Sequence, residues 1–411
     1  MQHRHILYVL AMMCTAASGM AAQLFSGYVP RIAADLLPQL EPLEAIRQVA
    51  SLGGSSFLFG WAVGAFALGW ISDRIGRRTA YFISVLLATS CMLLISFAET
   101  MSMLITMRVL MGIGVGSVLA QSVVMISEAF PSSSRAIVVG ILINAFPMGF
   151  ILAGLIMQST DVWQTGYRIA SSSMVLALAA LMVVRESDMW TASVRAGSGG
   201  AQSIWSIAYR KDLTIAVCLF GSMLLGIWTV FGWMPTYIAK ISLPEHSQQN
   251  RALATIMFGA GNVFGGLFSG VLSNRFGRRG AAAVGYVGCL LATVLTLQSG
   301  IGVYPAGAQL VGPTPFMFVG AFAICTFIGL NQGVLSGYIP ELFPTSVRGA
   351  ATGFGMNLGR VITAVGVFFL GLLVEYFGGY HNAITIFAMA YVIGLVTLMQ
   401  ARETRGNELP Q

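Results

Sequence analysis

The chain has 411 residues, 56% of them hydrophobic and 9% charged, and a mean hydropathy of +0.79. That balance excludes a water-soluble domain of this length, because charged side chains are too few to cover its surface. The net charge of +7 gives no reason to propose nucleic acid as a partner, since the arginines fall almost wholly in short connections between apolar runs.

Apolar runs of about 18–25 residues, each long enough to cross roughly 30 Å of hydrocarbon as a helix, predict twelve spans. The first six fall at about 6–29, 52–72, 79–97, 102–124, 136–158 and 167–184. The run after Met1-Gln-His-Arg-His5 is long and meets no small-residue cleavage site before Pro30, so it is expected to remain as the first span. A stretch containing Ala196-Gly-Ser-Gly-Gly200 follows, and six more spans at about 214–238, 252–272, 280–300, 315–338, 349–373 and 382–400. The expected fold is an all-α membrane protein of twelve transmembrane helices in two pseudo-symmetric six-helix bundles. These occupy residues 1–184 and 214–411, with a cytoplasmic linker over 185–213. All five cysteines (Cys14, Cys91, Cys218, Cys289, Cys325) fall within spans and read as packing residues without disulfides.

Of the 22 Lys and Arg residues, 15 lie on the side of both termini and the central connection: Arg4, Arg74, Arg77, Arg78, Arg135, Arg185, Arg195, Arg210, Lys211, Arg275, Arg278, Arg279, Arg348, Arg402 and Arg405. Both termini are therefore expected in the cytoplasm. With no Asn-x-Ser/Thr acceptor, the expected location is a bacterial inner membrane.

One device occurs twice, about 201 residues apart: Gly69-Trp-Ile-Ser-Asp73-Arg74-Ile-Gly76-Arg77-Arg78 and Gly270-Val-Leu-Ser-Asn274-Arg275-Phe-Gly277-Arg278-Arg279. The upstream glycines repeat with it, Gly60 with Gly261 and Gly64 with Gly265. A second pair, Glu128-Ala-Phe-Pro131-Ser-Ser-Ser-Arg135 and Glu341-Leu-Phe-Pro344-Thr-Ser-Val-Arg348, recurs at about 213. Internal symmetry in so apolar a chain points to a secondary transporter built from duplicated halves, with its substrate site near the bilayer midplane.

Substrate chemistry is sought among polar groups inside the spans, which are costly unless they face a cavity or each other. Arg360 lies at mid-depth in the eleventh span, three residues after Asn357 and so on the same helical face. A planar, permanently charged fork suits a carboxylate, phosphate or sulfonate, although a structural tie to helix-end carbonyls or a neighbouring Asn is the plainer alternative. Asn144 occupies the position equivalent to Asn357, each nine residues after its loop arginine. Gln121, Asn331 and Gln332 lie lower in the fourth and tenth spans and Asn262 in the eighth, where hydrogen bonding between helices competes with ligand binding. Trp228 offers a stacking wall, while Trp233 and Tyr237 read as an interfacial belt. Neither a His/Cys/Asp cluster, nor a Ser-His pair, nor a nucleotide loop is present, so an enzyme, a cofactor and a metal are not expected; a membrane sensor would carry an appended soluble domain.

The Asp73-Arg-Ile-Gly-Arg-Arg turn with its partner at Asn274, Arg108-x-x-x-Gly112-x-Gly114-x-Gly116, and the Glu-x-x-Pro-x-x-x-Arg loops together resemble the major facilitator superfamily over essentially the whole length. The resemblance implies a cytoplasmic latch. In it Asp73 would cap a neighbouring helix end, Arg77 or Arg78 would pair with Glu128, and Arg278 or Arg279 with Glu341; Arg135 and Arg348 complete the loops, and Asn274 in place of the acid is expected to weaken the second copy. Trp228-Thr-Val-Phe-Gly-Trp233-Met-Pro235-Thr-Tyr237 and Asn357-x-x-Arg360 are similar to segments of bacterial aromatic-acid and organic-anion symporters. The glutamine-rich seventh helix of sugar porters is absent, and Ser18-Gly-Met-Ala-Ala22 stands where aromatic-acid symporters carry aspartates. The expected function is alternating-access transport of a small organic anion, a carboxylate with or without an aromatic ring, by a monomer whose partners are that substrate and the bilayer. The alternative is a sugar or neutral-solute or drug transporter of the same superfamily.

Overall fold

The computed structural model describes residues 2–186, 206–299, 312–344 and 347–405. The chain divides into two compact units, Met1–Gly199 and Gly200–Gln411. The first holds α1 (Gln2–Leu36), α2 (Pro42–Ile75), α3 (Arg77–Ile95), α4 (Met101–Ala129), α5 (Ser132–Ser159), α6 (Trp163–Ser171) and α7 (Val175–Val183). The second holds α8 (Arg210–Ile241), α9 (Ser247–Gln298), α10 (Pro315–Glu341), α11 (Arg348–Leu373), α12 (Tyr380–Ala388) and α13 (Ala390–Gln400).

Eleven helical stretches are long and apolar enough to cross a membrane, with α6–α7 and α12–α13 each acting as one stretch. The 52-residue α9 contains two spans, because Gly277, at φ 78° and ψ 170°, breaks the helical path between them. Twelve spans result among the described residues, six in each unit. Helices also run past the apolar windows: α1 continues through Pro30 to Leu36, and α2 begins at Pro42 in a polar turn bearing Glu44 and Arg47. The sixth span has an unforeseen 3-10 turn at Ser172–Met174. Two serine hydroxyls there bond back to the helix, Ser171 to Arg168 O at 2.7 Å and Ser173 to Ala170 O at 2.8 Å, a competition with the backbone ladder that bends helices.

Small residues set the packing within each unit, as expected where apolar burial alone does not drive helices together in lipid. A β-carbon on Gly60 or Gly64 of α2 would stand 2.2 or 2.1 Å from the Val109 or Ile113 carbonyl oxygen of α4. In the second unit, a β-carbon on Gly261 or Gly265 of α9 would stand 2.3 or 1.7 Å from the Phe322 or Thr326 carbonyl oxygen of α10. The repeated glycines are therefore the points where backbones of matching helix pairs cross. Hydroxyl bonds add to this: Ser84 donates to Ser117 at 2.8 Å between α3 and α4, and Tyr286 to Leu219 O at 2.7 Å between α9 and α8.

Candidate functional site

Each unit carries one basic turn, and the two are built alike. In the first, Gly76 joins α2 to α3 with φ 96°, a conformation that favours glycine, and a β-carbon there would lie 2.3 Å from Glu186 Oε2. Glu186, just past α7, accepts the Arg77 N–H at 2.6 Å and the Arg78 N–H at 3.4 Å, placing a carboxylate on the positive end of α3. Arg77 also donates to Ser72 at 3.2 Å and reaches within 3.9 Å of Glu128, while Arg78 donates twice to Leu181 O, at 3.2 and 2.7 Å.

In the second unit Gly277 plays the part of Gly76, and a β-carbon on it would lie 2.6 Å from Glu403 Oε2. Glu403 accepts the N–H groups of Arg278 and Arg279 at 2.9 and 3.0 Å. Burial acts to raise the Glu403 carboxyl, but hydrogen bonds from the backbone of Arg278, Arg405, Arg279 and Thr404 prevail and hold it below the ordinary glutamate value. Arg278 closes on Glu341 at 3.0 Å, its Nε–H donating as well to both carboxylate oxygens at 3.3 and 3.2 Å, and Arg279 donates to Leu398 O at 2.9 Å. Arg348 donates to Phe343 O at 3.1 Å. The shorter ion pair thus lies in the Asn274 copy, opposite to what the missing acid suggests. Asn274 accepts from Arg278 at 3.3 Å and Thr404 donates to Glu341, so neutral groups align the pair from both sides. The side chains of Asp73 and Arg135 lie outside the described residues.

Glu186 and Glu403 did not figure among the expected site residues. Their signal is a third repeat, Arg185-Glu186-Ser187 and Arg402-Glu403-Thr404, directly after the sixth and twelfth spans. It is short and easily passed over.

The polar residues of the spans separate into two groups. Gln121 is buried and donates to Ser84 at 3.0 Å and to Ser117, and Asn331, fully buried, bonds Ala282 O at 3.2 Å and the Tyr286 N–H at 3.3 Å once its amide is oriented to satisfy both. Both tie helices together. Gln332 is half-buried, with its carbonyl accepting from Ser336 at 2.6 Å. Trp228 is buried edge-to-face against Phe231 at 6.0 Å, and Trp233 stacks on Tyr380 at 5.8 Å. In the crossing of α8 with α11, a β-carbon on Gly359 would stand 3.0 Å from Gly221 N; seven residues further along α8, about 10 Å at 1.5 Å per residue, Trp228 lies well along the axis from the level of Arg360.

The second group is Asn357 with Arg360 on α11. Asn357 donates its amide to Gly353 O at 2.9 Å, which turns its side-chain oxygen to accept from Arg360 Nη1 at 3.0 Å. One face of the amide is thus spent on the helix and the other aims the guanidinium. The exposed apolar residues Ile362, Val365, Phe369 and Leu372 mark the outer stripe of α11, and Gly353 and Arg360 fall on roughly the opposite side of the helix. Asn144 makes the matching bond in the first unit, donating to Gly140 O at 3.1 Å. Three acids of the second unit have other partners: Asp212 lies 3.6 Å from Arg402 in the first turn of α8, Glu341 pairs with Arg278, and Glu403 caps the Gly277 turn.

Residues 11–307 and 246–410 match the family described as Major Facilitator Superfamily. The chain belongs to this superfamily. Its curated relatives include the cis,cis-muconate transport protein of Acinetobacter baylyi, 24% identical over 79% of this chain and 78% of the relative. The gentisate transporter of Corynebacterium glutamicum is 26% identical over 85% and 78%. Among solved structures, a D-xylose-proton symporter superimposes with a TM-score of 0.79 at 18% identity, covering 98% of this chain and 99% of that one, a likeness that establishes the shared fold. The protein is a multi-pass membrane transporter of a small molecule, and the major facilitator fold accounts for its two six-helix units.

Proposed function

We propose that this major facilitator carries a small organic carboxylate by alternating access in a bacterial inner membrane, with both termini cytoplasmic and a monomer as the working unit. The observation that carries the reading is the Asn357–Arg360 pair: a permanent cation at mid-depth, aimed by an amide whose other end is fixed to Gly353 O at 2.9 Å, on the side of α11 away from its exposed apolar stripe. A guanidinium offers two parallel N–H donors to a carboxylate, and a desolvated site makes that recognition strong. The relatives' substrates, muconate and gentisate by name, are organic acids, which supports the same class. Gln121, Asn331 and Trp228 support the packing of their own helices, Gln332 stands beside Asn331 on α10, and Asn144 repeats the Asn357 bond within the first unit. The Gly76 and Gly277 turns, with Arg77, Arg78, Glu128, Arg135, Arg278, Arg279, Glu341, Arg348 and Asp73, form the cytoplasmic latch, whose ion pairs separate as that gate opens. A neutral-solute carrier is the second reading, favoured by the symporter's fold alone.

The test is ligand-dependent melting of purified protein against carboxylates, sugars and cationic drugs, since only ligands of the folded form raise its melting point. Carboxylates should raise it; Arg360→Lys should lose most of the effect and Arg360→Ala nearly all. An Arg360→Ala protein that folds and still transports normally would sink the assignment.

A further inference from the structure

Glycine within a helix is unfavourable relative to alanine, so each one calls for a reason. On α11, three have a reason in packing against α8. A β-carbon on Gly355 would meet Ala216 Cβ at 2.9 Å, one on Gly359 would meet Gly221 N at 3.0 Å, and one on Gly366 would meet Leu225 Cδ1 at 2.3 Å. Gly353 has none: a β-carbon there would meet nothing within 4 Å. Its φ does not fall in the left-handed region, so conformation does not explain it either.

Gly353 lies one turn before Asn357 and two before Arg360, on the stripe that faces away from Ile362, Val365, Phe369 and Leu372. Helical side chains lean toward the N-terminus, as the Arg360 bond to Asn357 shows here. The guanidinium therefore stands over the Asn357 turn. From there to Gly353 is about one more turn, roughly 5.4 Å, close to the length of a six-membered ring. The empty volume and the guanidinium are neighbours in register, about one turn apart, and a side chain at 353 would enter the first.

Resting on the carboxylate reading above, we propose that the space over Gly353 receives the organic group of the substrate, making this carrier selective for carboxylates that bear a flat six-membered ring over two- and three-carbon acids. Gly353 is then a specificity-determining position, and its missing side chain is the feature that admits the ring.

The experiment compares benzoate with propionate as probes, on the purified full-length protein, by melting shift and by counterflow in liposomes. Wild type should bind benzoate at least tenfold more tightly than propionate. Gly353→Leu should lose at least tenfold for benzoate while propionate changes less than twofold, and Gly353→Ala should fall between. Because nothing packs on Gly353 and glycine is the poorer helix former, the unliganded variants should melt no lower than wild type. Should Gly353→Leu misfold, Gly353→Cys supplies the reading: its thiol should be protected from a water-soluble thiol reagent by benzoate and not by propionate, with wild type as the background. Equal binding of the two acids by wild type, equal weakening of both by Gly353→Leu, or no change in either overturns the inference. The two readings fail differently. If Arg360→Ala abolishes both acids and Gly353→Leu alters neither, only the ring slot is wrong; if neither acid raises the wild-type melting point, the carboxylate reading falls and takes the slot with it.

Discussion

Arg108 and Arg360 stand inside spans, and their surroundings assign them different work. Arg108 is 2% exposed on α4, lies between the rings of Phe25 and Phe57 at 4.1 and 4.3 Å from their centroids, and donates from Nε to Gly53 O at 3.0 Å. No salt bridge to it occurs among the described residues, so the rings supply the compensation that an acid would otherwise give. A desolvated cation–π contact is worth about 2 kcal/mol. Phe25→Leu and Phe57→Leu should therefore each lower stability by about 1–2 kcal/mol beyond a comparable Phe→Leu change away from Arg108, read as melting of the purified protein. Equal losses at Arg108-distant and Arg108-facing phenylalanines would remove the cation–π account. Arg108→Lys should not restore the wild-type value, because an ammonium cannot lie flat between two rings. The sequence marks both arginines as costly. It does not say that one is enclosed by rings and the other aimed by an amide, since Phe25, Phe57 and Gly53 come from other helices.

At the level of elements, the two basic turns are the most constrained features of the chain. Gly76→Ala or Gly277→Ala would face both the left-handed backbone and a carboxylate within 2.3 or 2.6 Å. Strain of that kind costs of order 1–3 kcal/mol, and each variant should melt below wild type, with a larger loss than alanine at the open Gly353. The Glu403 cap adds a pH dependence. Its carboxyl is held below the ordinary value, near 4.3, so its stabilisation is fully present above that value and disappears as pH falls through the lower value of the folded state. Glu403→Gln should thus melt lower than wild type at pH 7, by the ~0.5–2 kcal/mol of a lost cap, and the gap should close on acidification below about pH 4. A gap that persists at low pH would assign the loss to packing. The Arg-x-Gly-Arg-Arg motif made the turns legible; the capping acids come from distant chain positions and were not.

For the whole molecule the question is energetic. Among the described residues the acids stand in first or last helical turns or in connections; Asp35, for example, ends α1 and accepts from Trp163 at 2.6 Å and Gln164 at 3.2 Å. A proton-coupled carrier needs a group that titrates within the cycle and is exposed to both sides in turn. We expect transport without obligatory coupling through a buried carboxylate. Uniport of a monoanion into a negative interior is opposed by roughly 2.3 kcal/mol per 100 mV, which favours export or anion exchange. Liposomes loaded with benzoate should show counterflow with no imposed pH gradient. Uptake that demands an inward proton gradient and is lost on neutralising Asp35, Asp73 or Glu128, with counterflow intact, would place the coupling group at a helix end instead.

Sequence by itself determined the solvent, the number of spans and the duplication, because lipid imposes helix length and low charge on every span regardless of its neighbours. It also named Arg360 with Asn357, since two residues three apart share a helical face in any fold. Tertiary structure alone decided the rest. Gln121 and Asn331 became interhelical ties once Ser84, Ser117 and Ala282 were brought beside them. Glu186 and Glu403 became caps once the sixth and twelfth spans ended at the basic turns. Gly353 differs from Gly355, Gly359 and Gly366 only in what stands opposite. These assignments depend on which helices touch, and a linear pattern of polar and small residues carries no record of the partner across the contact.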